Sequence, residues 1–130
     1  MIRQDNKHEK VLQNILAKLP QEISDFASKN VFFIFSQGSK KIMAEYFNLR
    51  AGLLGKYRFL VILRPNLWGK SPEIIKGVIA HEVAHAFLSH ENPAGDNPEI
   101  PELEANKLAS KWLGRNILYR GRRVGIFPMP

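Results

Sequence analysis

Residues 76–90 read KGVIAHEVAHAFLSH. Apolar residues surround two histidines four positions apart, and no proline interrupts them. Just upstream, Ser71-Pro72-Glu73 carries start signals for a helix. Serine suits the N-cap, proline the first helical position, and glutamate the positive end of the helix dipole. The stretch therefore predicts a helix that continues through Leu88. On such a helix, positions i and i+4 lie about 40° apart, one turn up. His81 and His85 then point the same way and can grip one cation through their imidazole nitrogens. Glu82 is turned by one residue. It reaches a water beside that cation but is badly placed to be a third ligand in the same plane.

This geometry is why H-E-x-x-H works as a zinc-hydrolase motif. A catalytic zinc takes three protein ligands and keeps one open position. The chain has no cysteine, so any ligand must be His, Asp or Glu. Four residues are candidates for the third position. His90, on a continued helix, falls on the face opposite His81 and reads as a surface or helix-end histidine. Glu91 stands where an extended motif would place a ligand. That arrangement needs a glycine at position 88 to turn the chain, and the residue is Leu88. Glu102 and Glu104 lie in PELEANKLASKWLG, residues 101–114. A ligand on a second helix wants a small residue one turn on, for close approach, and then a polar residue to bond a ligand histidine. Glu102 has Ala105 and Asn106 in those places, whereas Glu104 has Lys107 and Leu108. Asn106 can accept from an imidazole N–H and fix its tautomer. Glu102 is the expected third ligand, with Glu104 in reserve.

Working outward, Val11, Leu12, Ile15, Leu16 and Leu19 recur at helical spacing and predict an amphipathic helix over residues 8–19. Pro20 interrupts it, and Ile23, Phe26 and Ala27 continue as a second short piece. Val31 to Phe35 reads as a strand ending in a turn. Ile42 to Asn48 is predicted as a second strand, closed by Gly52 and Gly55. Tyr57 to Leu63 (YRFLVIL) is the clearest strand and ends at Pro65. Residues 91–98 (ENPAGDNP) read as a loop. A last helix is expected from near Pro101 to Trp112 or Leu113, with Gly114 as its stop.

With 130 residues, the chain is the size of one domain. It is expected to form a single domain over 1–130, with a core at 31–113 and a basic, then apolar, tail at 114–130. Hydrophobic content of 45% with 24% charged residues excludes a mainly disordered chain. The opening MIRQDNKHEK lacks the apolar run of a signal peptide, and no stretch is long enough to span a membrane. A soluble, cytoplasmic protein is expected. The net charge of +7 raises nucleic acid or an acidic protein as partners. Lys111, Arg115, Arg120, Arg122 and Arg123 cluster near the C-terminus, but no aromatic ladder or glycine clamp accompanies them. Charge sign alone speaks for non-specific association. A metal-binding regulatory module with a basic docking surface is therefore the alternative to an enzyme.

His81-Glu82-x-x-His85 followed by Glu102-x-x-Ala105-Asn106 resembles the gluzincin metallopeptidases. The segment VIAHEVAHAFLSH is similar to the active-site helix of HtpX-type peptidases and their minimal soluble relatives, the minigluzincins. It is also similar to the ImmA/IrrE family. The likeness covers about residues 31–113. It departs in Asn106, where HtpX-type chains carry aspartate, in Ala84, where glycine is common, and in lacking membrane helices.

The resemblance implies an α+β, zincin-like domain. Its parts would be an N-terminal helix, a roughly three-stranded sheet with an edge strand, an active-site helix and a glutamate helix. It implies a zinc endopeptidase acting on peptides or proteins, with Zn²⁺ on His81, His85 and Glu102. Zinc would lower the pKa of a water from about 15.7 towards 7, and Glu82 would act as general base. Tyr119, Arg120 and Arg115 are the candidates for stabilising the oxyanion, and spacing does not choose between them. Tyr57–Leu63, as an exposed sheet edge, would receive a substrate strand. The apolar tail Val124–Pro130 could cover that edge, lying in the cleft as an internal inhibitor; inhibition of this kind is known among minigluzincins.

Overall fold

The computed structural model describes residues 6–38, 42–49, 56–91, 99–119 and 122–123. Two helices come first, α1 (Asn6–Lys18) and α2 (Gln21–Asn30). Leu12, Ile15 and Leu16, followed by Leu19, bury one stripe of the first, and Ile23 and Ala27 bury one stripe of the second. This is the i, i+3, i+4 spacing of a half-buried helix. Pro20 has no N–H to continue α1. Its carbonyl accepts from Ile23 N (2.8 Å) and Ser24 N (2.9 Å), so the break also starts α2.

The sheet contains β1 (Val31–Phe35), β2 (Ala44–Asn48), β3 (Phe59–Leu63) and a two-residue β4 (Arg122–Arg123), in the order β1-β3-β2-β4. β3 runs parallel to β1 and antiparallel to β2. β4 adds parallel to β2, with Glu45 opposite Arg122 and Tyr46 opposite Arg123. Phe59, Val61 and Leu63 are buried and alternate with less buried Leu60 and Ile62, as the two-residue period requires. Arg64 forms a salt bridge with Glu45 and donates to Ser36 Oγ (2.7 Å), tying the strand ends together.

The α+β class expected from sequence holds. The expectation that Tyr57–Leu63 forms a sheet edge does not. β3 is interior, flanked on both sides, and Tyr57 makes only an isolated bridge ahead of it. The physical reason is legible in hindsight: FLVIL is apolar at every position, the signature of a strand covered all round rather than on one face.

After a short 3₁₀ turn at Pro65–Leu67 comes α3 (Pro72–Phe87). Ser71 caps it, its Oγ accepting from Ile74 N at 3.3 Å, and Pro72 takes the first position. Eleven of its sixteen residues are buried, so it is the central helix rather than an amphipathic surface one. α4 (Glu99–Leu113) packs along it and buries Glu102, Ala105, Asn106 and Ala109, one face of the helix. It starts two residues before the expected Pro101. Gly114, at φ +70°, ends it in the left-handed conformation that glycine tolerates.

The chain then turns back. Ser110 Oγ accepts from Ile117 N at 2.8 Å, and Ile117 is buried against Gly77 of α3. A Cβ at Gly77 would lie 3.3 Å from Ile117 Cδ1, so the glycine admits this close crossing. Among the described residues, no helix is long and apolar enough to cross a membrane. Gly52, Gly55, the 92–98 stretch, Arg120 and the tail Val124–Pro130 lie outside the described residues.

Candidate metal centre

α3 carries His81, Glu82 and His85 on its buried length, and α4 carries Glu102 and Asn106 on the face packed against it. One ligand-type atom from each of His81, His85 and Glu102 lies within 4.8 Å of the others. His81 Nε2 is 3.0 Å from Glu102 Oε1, and His85 Nε2 is 3.3 Å from Glu102 Oε2. Both imidazoles thus present the same nitrogen to one carboxylate. Their rings stand perpendicular, 4.6 Å between centroids. On its other side, His81 donates from Nδ1 to Asn106 Oδ1 at 2.8 Å. Ala105, between Glu102 and Asn106, is fully buried, which lets the helices approach closely.

The electrostatics follow from burial. His85 is pushed down to about 4, chiefly because burial disfavours its charged form, against the opposing pull of Glu102. Burial also works against His81, but hydrogen bonding to Glu102 and the charges of Glu82 and Glu102 outweigh it, and its pKa is raised. Glu102 is held well below the usual carboxylate range: burial acts to raise it, and bonds from His81 and His85 prevail. Glu82 is pushed up to about 8 by burial, the neighbouring His81 only partly offsetting this. Both Glu82 carboxylate oxygens are buried without a well-formed hydrogen bond among the described residues.

The other sequence candidates fall elsewhere. Glu91 is exposed, and Glu104 points away from the cluster, its Oε1 2.7 Å from His90 Nε2. His90 was expected opposite His81, which is incorrect. The helix ends at Phe87, and Ser89, at φ 54°, reverses the chain. His90 N then donates to His85 O at 3.0 Å, and the two Nδ1 atoms meet at 2.8 Å. A non-glycine residue at positive φ is uncommon, so sequence alone gives no signal for this turn.

Of the three residues considered for the oxyanion, Tyr119 stands edge-on to His81, with centroids 4.8 Å apart. It interacts with Glu82, short of a well-formed hydrogen bond, and its own pKa is raised by burial and by the Glu82 charge. Arg115 is committed elsewhere, its Nε 3.1 Å from Glu73 Oε1 near the start of α3. Arg120 lies outside the described residues.

Two residues escaped the sequence reading. Tyr46 stacks on His85 at 5.1 Å, and its hydroxyl donates to His90 O at 2.8 Å. Asn48 Nδ2 donates to the same oxygen at 3.0 Å. Their i, i+2 spacing on β2 puts both on one face, which was the available signal.

The donor set suits a divalent cation. His85 Nε2 is buried, faces a carboxylate and makes no well-formed hydrogen bond. Two imidazole nitrogens and a carboxylate converging at one point match a three-ligand site.

No family model and no curated protein matches the chain. Among solved structures, the crystal structure of the metallopeptidase zymogen of Pyrococcus abyssi abylysin aligns with 82% of this chain and 99% of its own. The identity is 15% and the TM-score 0.42. A likeness of that grade decides nothing about this chain, whose centre stands on its own geometry.

Proposed function

We propose that this chain is a zinc-dependent peptidase of the gluzincin type. Zinc would be held by His81, His85 and Glu102, with Glu82 as the general base. The observation that carries the reading is the convergence of two buried imidazoles and one carboxylate beside a second buried carboxylate that holds none of them. When bound, zinc would supply a Lewis acid that polarises the scissile carbonyl and acidifies water. Glu82 takes a proton from the attacking water and delivers it to the leaving amine. Asn106 keeps His81 oriented through Nδ1, leaving Nε2 for the ion. Tyr119 is the donor best placed to meet the oxyanion, since it borders both His81 and Glu82. The lack of cysteine fits a cytoplasmic setting.

With β3 interior, a substrate strand would add to the side of β2 away from β3, which among the described residues only the two-residue β4 occupies. The chain itself pairs there through β4, and Tyr119 packs on His81. The β4 pairing supports a latent enzyme whose C-terminal part takes the place of a substrate strand. Truncation after Tyr119, which removes β4 and the tail, is expected to raise hydrolysis of an unstructured peptide. Unchanged or lower activity in a folded truncated protein would remove latency from the reading.

The experiment that tests the peptidase itself measures zinc content and peptide hydrolysis together. The reconstituted wild type is expected to hold one zinc per chain and to cleave peptide. Glu102→Ala is expected to lose both. A wild type that binds no zinc, or a Glu102→Ala variant that keeps it, would overturn the assignment.

A further inference from the structure

His90 is more elaborately held than a helix-end histidine requires. Its backbone oxygen receives two side-chain donors from β2, Tyr46 Oη at 2.8 Å and Asn48 Nδ2 at 3.0 Å. Its backbone N–H closes onto His85 O. Ser89 adopts the left-handed conformation to bring it back, a conformation disfavoured for a residue with a Cβ. Its side chain is gripped at both ring nitrogens, Nδ1 by His85 and Nε2 by Glu104 of α4. Three elements and one strained residue therefore fix a single imidazole against the back of His85.

The hydrogen positions follow from the partners. Glu104 Oε1, 2.7 Å away, is an acceptor, so His90 Nε2 must carry a hydrogen. A neutral His90 then has a bare Nδ1. Between two Nδ1 atoms at 2.8 Å one hydrogen is shared, and with His90 neutral it belongs to His85. A neutral His85 with its hydrogen on Nδ1 has a bare Nε2. That nitrogen is the one facing Glu102, and it makes no well-formed hydrogen bond there.

We propose that His90 is a positioning residue of the metal centre. Through Glu104, it holds His85 in the Nδ1–H tautomer, so that Nε2 is presented bare to the cation. Asn106 does the same for His81 from the other side. The two ligand imidazoles are thus set by separate partners, an amide on α4 and a histidine on the loop after α3. The inference deepens the peptidase reading and rests on its ligand set.

The test uses the full chain. Imidazole ¹⁵N shifts of His85 are read in chelator-treated protein, and zinc affinity is read by competition with a chromophoric chelator. Wild type is expected to show a protonated Nδ1 and a bare Nε2 at His85. His90→Leu removes the acceptor and is expected to give mixed tautomers, with zinc affinity lower by about 10–100-fold. His90→Asn puts a carbonyl oxygen where Nδ1 stood and is expected to restore both readouts. Glu104→Leu lies at an exposed position that tolerates change, and is expected to shift the tautomer the same way by a smaller amount. An unchanged His85 tautomer in His90→Leu, or no rescue by a folded His90→Asn, would overturn the proposal. If wild type takes up no zinc, the peptidase reading falls, and the nitrogen shifts alone decide the role of His90.

Discussion

The two helical pairs of this molecule bury different things. α1 and α2, with the turn between them, bury hydrocarbon: Leu12, Ile15, Leu16, Leu19, Ile23 and Ala27. α3 and α4 bury two imidazoles, two carboxylates and an amide alongside their apolar residues. Burying a carboxylate without good partners costs several kcal/mol, and apolar replacements of buried charges are often neutral or stabilising. Stability alone would have made the second pair look like the first. The Glu82 carboxylate is the clearest case, since it is buried, poorly partnered and pushed up to about 8. A carboxylate kept in such a setting is a candidate functional group, and that is the role proposed for Glu82.

The contrast can be broken most directly at Glu82. Glu82→Gln keeps the shape and removes the base. It is expected to retain zinc while turnover falls by about 10²–10⁴. Peptide cleavage near the wild-type rate in a clean preparation would show that Glu82 is a structural residue like its neighbours. The same substitution sharpens the comparison in metal-stripped protein. A carboxyl whose folded pKa is raised from 4.5 to about 8 favours the folded state when protonated. That contribution is full below pH 4.5, declines as pH rises, and levels off above about 8. Melting curves of wild type minus Glu82→Gln are expected to fall across that window; a flat difference would place the carboxylate in a wetter setting. The smallest effect on chemistry is expected from the first pair. Ile23→Ala should cost about 2–5 kcal/mol of stability, seen in urea unfolding, with the turnover of the folded enzyme unchanged. A change in turnover at that site would mean the two halves are coupled.

What could be read from the chain beforehand divides by range. The start of α3 was legible because its signals are adjacent: serine cap, proline, glutamate, then an apolar run. Its end was read to within one residue, Leu88 against Phe87, but the turn beyond it was not, because that turn rests on Ser89 adopting a conformation that its residue type does not announce. Glu102 stood out over Glu104 through Ala105 and Asn106, a pattern contained within two turns of one helix, and the structure puts Glu102 beside both histidines. The edge position expected for Tyr57–Leu63 was the failure. Whether a strand lies at the edge depends on which distant segment pairs with it. The apolar residues at both faces of Phe59–Leu63 were the overlooked hint. Tyr119 could not be singled out because its position is set remotely, by Gly114 reversing the chain and Ser110 anchoring Ile117.

The enclosure of His81, Glu82 and His85 has a consequence in time rather than energy. All three have no exposed surface, and Tyr119 stands against two of them. A metal ion bound there is expected to enter and leave by a local opening of the packing around them. Loading and stripping are therefore paced by the same local opening, however tightly the ligands hold. A chelator added in excess would set the endpoint but not the clock, and raising its concentration further would not hurry the loss.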